Sequence, residues 1–129
     1  MLNDSLSNAL ETIKQKDKRG LKECKLHPSS KVIKKVLQIL QENKYVGETI
    51  IETESKGGVL KVNLLGNINN CQAIKPRFSV TKDNYEKFEK RFLPAKGMGM
   101  LIVSTSKGMM THEQAKEKHI GGRLVAYCY

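Results

Sequence analysis

Residues 31–42 read KVIKKVLQILQE and predict an amphipathic helix at the centre of the first half of the chain. At about 100° per residue, the apolar side chains of this segment fill an arc of roughly 160°. The lysines fall on the opposite arc, at Lys31, Lys34 and Lys35. A serine after Pro28, either Ser29 or Ser30, is suited to cap the helix start. We therefore expect one face on a core and a basic outer face.

The segments on either side of this helix predict a small sheet and a second helix. Residues 45–54 and 59–65 are rich in strand-forming residues, and Lys56-Gly57-Gly58 between them is typical of a β-hairpin. Residues 21–27 read as a further strand. Apolar residues recur at helical spacing within residues 2–13. The predicted order is αβαββ, with both helices on one face of the sheet.

The second half reads as a lobe of strands and short helices. Residues 66–80 predict a connection that ends in a short strand. The later elements are predicted as a helix at 83–91, a buried strand at 100–103, a turn at Lys107-Gly108, a helix from a capping box at Thr111 to about His119 that stops at Gly121-Gly122, and a strand at 124–129. We predict an α+β fold with two small lobes, an N-terminal αβαββ lobe at residues 1–66 and a C-terminal, mainly β lobe with short helices at residues 67–129.

The net charge is the first indication of a partner. Lys and Arg number 23 against 13 Asp and Glu, which gives a formal charge of +10. Such an excess in a small chain favours polyanions, above all nucleic acid, with an acidic membrane surface as the alternative. The charge is distributed, without a run of like charges long enough for a disordered tail. One basic cluster, at residues 14–19, either balances the dipole at the end of the first helix or contacts phosphate.

Several protein classes are excluded by features that the sequence lacks. No apolar run approaches the roughly 18–20 residues of a membrane helix, and the first residues show no secretory signal. The three cysteines, Cys24, Cys71 and Cys128, are too widely spaced for a disulfide framework or a Cys-based zinc site. We expect a monomeric protein of the reducing cytoplasm, without cofactor or metal.

The segment Ser104-Thr105-Ser106-Lys107-Gly108 predicts a polar binding turn. Its three hydroxyls follow a buried strand, and a hydroxyl both donates and accepts hydrogen bonds. Such groups suit the 2′-OH groups, phosphates and base edges of RNA. An ordinary polar strand end is the alternative interpretation.

Other groupings give weaker indications of chemistry. Ser104 and Lys107 match the S-x-x-K spacing of serine acylases, but the S-D-N and K-T-G partner motifs are absent. His112 and His119 do not form the H-E-x-x-H zinc motif, and we expect both to be solvated helix residues. The methionines expected to fill the core are Met98, Met100, Met109 and Met110. We predict a protein that is not an enzyme.

Taken in order, these segments resemble the family of small-subunit ribosomal protein eight over essentially the whole chain. The longest match is STSKGMMTHEQA at residues 104–115, followed by GGRLVAYCY at residues 121–129. The opening helix at residues 4–10 and the helix start at residues 28–31 also match. The archaeal and eukaryotic branch is indicated by two further segments, residues 74–78 and residues 89–95.

The resemblance implies a structural constituent of the small ribosomal subunit. It implies binding to an internal-loop helix in the central domain of small-subunit rRNA, contacts with neighbouring ribosomal proteins, and a role in early subunit assembly. Asn67 departs from the family, since relatives often carry an Arg there that contacts a base or a phosphate. The predicted RNA-binding residues are Asn8, Lys14, Lys18, Arg19, Ser29, Ser30, Lys31, Lys34, Lys35, Ser104, Thr105, Ser106, Lys107, Gly108, Gly121 and Gly122.

Three alternatives stay open at this point. A membrane-surface protein would use the helix at 31–42, although the sheet needs the apolar arc of that helix. A hydrolase would use Ser104 and Lys107. A regulator that binds messenger RNA would use the same surface as the rRNA, and the sequence does not separate these two partners.

Overall fold

The computed structural model describes residues 5–26, 31–53, 59–74, 77–95 and 98–129. The chain forms two compact units, and the boundary between them falls between Asn69 and Asn70. Both units combine helices with an antiparallel sheet. The predicted α+β class is therefore confirmed.

The first unit has the predicted αβαββ order. Its elements are α1 (Ser5–Lys18), β1 (Glu23–Leu26), α2 (Lys31–Glu42), β2 (Val46–Thr53) and β3 (Val59–Leu64). The strands lie in the order β1-β3-β2, and every pairing is antiparallel. In β1 the buried residues Cys24 and Leu26 lie opposite Val62 and Leu60, and the alternating residues are exposed. One face of this sheet is therefore apolar, and α1 and α2 pack against β1 and β2.

The burial pattern of helix α2 matches the periodicity of its sequence. The buried residues are Ile33, Val36, Leu37, Ile39 and Leu40, whereas all three lysines of the helix are exposed. Each buried aliphatic side chain of this kind contributes roughly 1.5–3 kcal/mol relative to full exposure. The predicted basic outer face is confirmed. The predicted serine caps and the turn at Lys56-Gly57-Gly58 lie outside the described residues.

Asp17 connects α1 to the segment that follows β3. Its side chain is buried, and its two carboxylate oxygens accept hydrogen bonds from the backbone N–H groups of Gly66 (2.9 Å) and Ile68 (3.3 Å). Asn67, between these two residues, donates from Nδ2 to the carbonyl of Lys44 at 2.8 Å. Asn67 therefore has a structural contact in the first unit.

The second unit is built on a five-stranded sheet. Its elements are β4 (Cys71–Ala73), β5 (Ser79–Val80), α3 (Tyr85–Phe92), β6 (Met100–Thr105), β7 (Gly108–Thr111), α4 (His112–Glu117) and β8 (Gly122–Cys128). The strand order is β4-β8-β6-β7, and β5 also pairs with β8. The core on one face includes Leu101, Val103 and Leu124 from the strands and Phe88 and Ala115 from the helices.

Two strands of this unit were missed by the sequence analysis. Residues 71–73 were expected to be part of a connection, yet they form β4 on the edge of the sheet. Residues 108–111 form β7, where only a turn at Lys107-Gly108 and a helix cap at Thr111 were predicted. Both strands are very short, and their pairing with β8 and β6 depends on partners far away in sequence or across a tight turn. Neither carries a periodic pattern of its own.

The end of α4 also differs from the prediction. The capping box of Thr111 and Gln114 is present, as predicted. The residue with the left-handed backbone that closes the helix is His119, at φ +55°, and not a glycine. Gly121 and Gly122 instead permit close approach, because a Cβ on Gly121 would lie 2.3 Å from the carbonyl oxygen of Val80.

The four methionines that were predicted to fill the core differ in their burial. Met100 and Met110 are buried, and Met109 is half-buried. Met98 is half exposed and does not fill the core. Met98 precedes β6, so it is not one of the residues that this strand buries.

Candidate nucleic-acid interface

The polar segment at 104–108 forms a two-residue hairpin turn. Thr105 pairs with Gly108 across the turn, so Ser106 and Lys107 lie at its tip. Ser104 and Thr105 belong to β6, which extends two residues beyond the predicted strand. Ser106 and Lys107 are both exposed. Gly108 has φ +104°, a backbone conformation that favours glycine.

The three hydroxyls of this segment have different environments. Thr105 donates from Oγ1 to the carbonyl of Gly108 at 2.7 Å and accepts from the N–H of Lys107 at 3.1 Å. Its hydroxyl therefore stabilises the turn. Among the described residues, the hydroxyls of Ser104 and Ser106 have no hydrogen-bond partner, and both residues are exposed. These two hydroxyls are available to a ligand.

Ser104 is part of a polar row that crosses the sheet. It lies opposite Met109 of β7 on one side and Arg123 of β8 on the other, and Arg123 lies opposite Ser79 of β5. Residues opposite one another in a ladder share a face of the sheet. Ser79, Ser104 and Arg123 are all exposed. The sheet thus presents two hydroxyls with a guanidinium between them.

Gly122 allows β8 to approach the end of β6 closely. A Cβ at this position would lie 2.2 Å from the carbonyl oxygen of Ser104. Any side chain on residue 122 would therefore displace Ser104 or the strand itself. Gly121 and Gly122 were predicted as RNA-binding residues, and the structure places both against backbone that supports the polar row.

A buried histidine anchors the other end of the β6–β7 hairpin. The β6–β7 ladder ends at Ile102 and Thr111, and the next N–H of β6, from Leu101, donates to His112 Nδ1 at 3.0 Å. His112 Nε2 lies 3.4 Å from Glu89 Oε1, and Lys116 also donates to that oxygen. The imidazole therefore continues the ladder where α4 leaves the sheet.

His112 Nδ1 accepts a hydrogen bond from the N–H of Leu101, which requires that this nitrogen carry no proton. Burial lowers the pKa of His112, and the nearby Glu89 carboxylate, which acts in the opposite direction, is the smaller influence. The expectation that His112 is a solvated helix residue is wrong, because the side chain fills the gap between α3 and β6. His119 is exposed, as expected.

In the first unit, α2 carries the clearest group of cations. Lys31, Lys34 and Lys35 are exposed, and none forms an ion pair within the described ranges. The first turn of α2 contains no acidic residue. Cations near a helix N-terminus are disfavoured by the helix dipole, whereas that terminus attracts anions. The exposed lysines at the start of α2 are therefore suited to bind a phosphate group. Ser29 and Ser30, just before the helix, lie outside the described residues.

The predicted residues of α1 are not equivalent. Lys14 is buried and forms an ion pair with Glu11 at 3.0 Å. Hydrogen bonds from Gln15 and Lys14 lower the pKa of Glu11, so its carboxylate stays charged beside Lys14. Lys18 and Arg19 are exposed, whereas Asn8 is half-buried. Lys18 and Arg19 therefore are the cations of this segment that face solvent.

The residues predicted from the sequence did not include Ser79 and Arg123, which the structure places in the polar row. Arg123 directly follows the glycine pair of a quoted motif, so an exposed cation beside two small residues was a usable signal. Ser79 carried no signal, because only the pairing of β5 with β8 brings it beside Arg123.

The described residues contain no group of three or more His, Cys, Asp or Glu side chains arranged to hold a metal ion. Among the helices of the described ranges, none has the length and apolar character needed to cross a membrane. Exposed cations and available hydroxyls on a basic α+β chain are typical of a nucleic-acid-binding protein.

The sequence model of the family described as ribosomal protein S8 matches residues 4–129. The chain belongs to this family. Its members are structural proteins of the small ribosomal subunit that bind rRNA, and they act in translation. The predicted family and the predicted RNA-binding class are therefore confirmed.

Proposed function

We propose that the chain binds an internal-loop helix in the central domain of small-subunit rRNA and supports early assembly of the subunit. The polar row of Ser79, Arg123 and Ser104, continued by Ser106 at the hairpin tip, is the observation that carries this proposal. An internal loop exposes base edges and 2′-OH groups, which such hydroxyls recognise. The row therefore supplies specificity.

The lysines of α2 supply affinity in this proposal. Cationic side chains that neutralise phosphates release counterions, so their contribution weakens as salt rises. Lys31, Lys34 and Lys35, with Lys18 and Arg19, would contact the RNA backbone. The hydroxyl of Thr105 and the glycines at 108, 121 and 122 position the recognition surface. The set predicted from the sequence is completed by Asn8, Lys14, Ser29, Ser30 and Lys107.

The proposal extends to the cellular setting of the chain. We place it in the archaeal and eukaryotic-type branch, as a cytoplasmic protein that is monomeric before it joins the ribosome and neighbouring ribosomal proteins. A messenger RNA with the same internal loop would bind the same surface, which would give the chain a secondary regulatory role.

The test measures binding of the purified chain to a central-domain rRNA fragment at several salt concentrations. A fragment with a scrambled internal loop, of equal length and charge, is the competitor. Tight binding that survives this competitor supports the proposal. Equal and steeply salt-dependent binding to both fragments would contradict it, because only a generic basic surface would then be present.

A further inference from the structure

Two cysteines of the second unit lie directly opposite each other in the β4–β8 ladder. The register pairs Cys71 with Cys128. In the neighbouring pair, Asn70 and Tyr129 exchange two backbone hydrogen bonds, of 3.0 and 2.9 Å. Hydrogen-bonded and non-hydrogen-bonded pairs alternate along an antiparallel ladder. The cysteines therefore occupy a non-hydrogen-bonded pair.

This kind of pair has the spacing that a disulfide needs. The Cα atoms of a non-hydrogen-bonded pair are about 4.5 Å apart, and the two side chains share one face of the sheet. Disulfides span Cα separations of about 4.4–6.8 Å. The two thiols can therefore join without a large movement of either strand.

We propose that Cys71 and Cys128 are a dithiol modification site that a small-molecule disulfide, such as oxidised glutathione, converts to a cross-strand disulfide. The thiolate of one cysteine attacks a sulfur of the oxidant, which forms a mixed disulfide and releases one glutathione thiolate. The thiolate of the second cysteine then attacks the protein sulfur of the mixed disulfide and releases the second glutathione. Two protons pass from the cysteines to the two glutathiones, so one oxidant molecule is reduced for each disulfide formed.

The position of β4 provides the access that this reaction requires. Cys71 and Cys128 are fully buried, so the oxidant reaches them only when the ladder opens. β4 is an edge strand of three residues, and short edge strands open at a lower free energy than the core of a sheet. We therefore expect slow oxidation, at a rate set by the opening of β4. The disulfide would then hold β4 against β8.

Cys24 provides a matched control within the same chain. It is a buried cysteine of β1 in the first unit, and its register partner is Val62. Burial raises the pKa of the Cys24 thiol, which makes it less reactive. It has no cysteine opposite it with which to form a second bond.

The experiment incubates the full chain with excess oxidised glutathione, alkylates the remaining thiols, and maps the peptides by mass spectrometry. We expect one intramolecular Cys71–Cys128 cross-link, its persistence in Cys24→Ala, and a rise in Tm of about 10 °C. Cys128→Ala should lose the cross-link and retain only a mixed disulfide at Cys71. Glutathione adducts without the cross-link in the unsubstituted chain, a cross-link that includes Cys24, or thiols that stay unmodified would each overturn the proposal.

Discussion

The hydroxyls of the β6–β7 turn divide into two roles at the scale of the single residue. Ser106 has no partner among the described residues, whereas Thr105 both donates and accepts within the turn. We expect Ser106→Ala to lower affinity for the internal-loop RNA about five-fold, since one neutral hydrogen bond contributes about 1 kcal/mol. The salt dependence of binding should not change, because no charge is removed. Fluorescence titration at several salt concentrations measures both quantities.

Two further variants separate recognition from turn stability. Ser106→Thr keeps the hydroxyl and should retain affinity. Thr105→Ala removes both turn bonds and should lower Tm together with affinity. An equal loss for the scrambled RNA in Ser106→Ala would show that this hydroxyl does not read the loop.

His112 makes stability depend on pH near neutrality. Burial lowers its pKa in the folded chain, so the unfolded chain, with an ordinary value of about 6.5, binds more protons in this range. The free energy of unfolding should therefore be largest above about pH 6.5 and fall as the pH decreases below it. The charged groups near the imidazole are Glu89 of α3 and Glu113 and Lys116 of α4. Thermal unfolding between about pH 5 and pH 7.5 measures the effect. This range is chosen because most carboxyl groups titrate below it.

The comparison for this prediction is His112→Asn, whose side-chain oxygen can still accept from the N–H of Leu101. This variant should lose most of the pH dependence in the same range. His119→Asn is the matched control, since His119 is exposed and Asn tolerates its left-handed backbone. An unchanged pH profile in His112→Asn would assign the effect to another group.

At the scale of the element, α2 combines a packing face with a charged face. Its buried residues cover the sheet, which leaves the apolar arc unavailable to a membrane surface. We expect Lys35→Ala to weaken binding to all RNA sequences and to reduce the salt slope by about one. Stability should hardly change, because Lys35 is exposed and has no ion pair within the described ranges.

Lys90→Ala is the matched control for this element. Lys90 is an exposed lysine of α3 in the second unit, outside the proposed interface. Its removal should leave the salt slope close to that of the unsubstituted chain. A reduction as large as that of Lys35→Ala would mean that the cations act only through net charge.

At the scale of the whole molecule, the proposed contacts lie in both units. RNA that binds only the folded chain stabilises it by about 2.7 kcal/mol when its free concentration is 100 times Kd. Core amides that exchange through global unfolding should then slow about 100-fold. Hydrogen exchange should show this protection around Leu10 in the first unit and Leu124 in the second. Protection of one unit alone would place the RNA contacts in that unit.

Long periodic segments were predictable from the sequence because each contains its own evidence. Helix α2 ends where its apolar period ends, and the capping box at Thr111 needs only residues three positions apart. The signature at residues 104–115 likewise identified the family without any coordinates. The exposed lysines of α2 followed from the same period, since the opposite face had to be buried.

Other features were decided by tertiary structure, because they depend on partners distant in sequence. Strand β4 forms because it pairs with β8, and Ser79 joins the polar row because β5 also pairs with β8. His112 is buried because α3 brings Glu89 against it, and no local pattern encodes that contact. The sequence by itself determined the helices, the charge and the family. Only the fold determined which hydroxyls remain available and which cysteines face each other, because a strand's neighbours are set by long-range pairing.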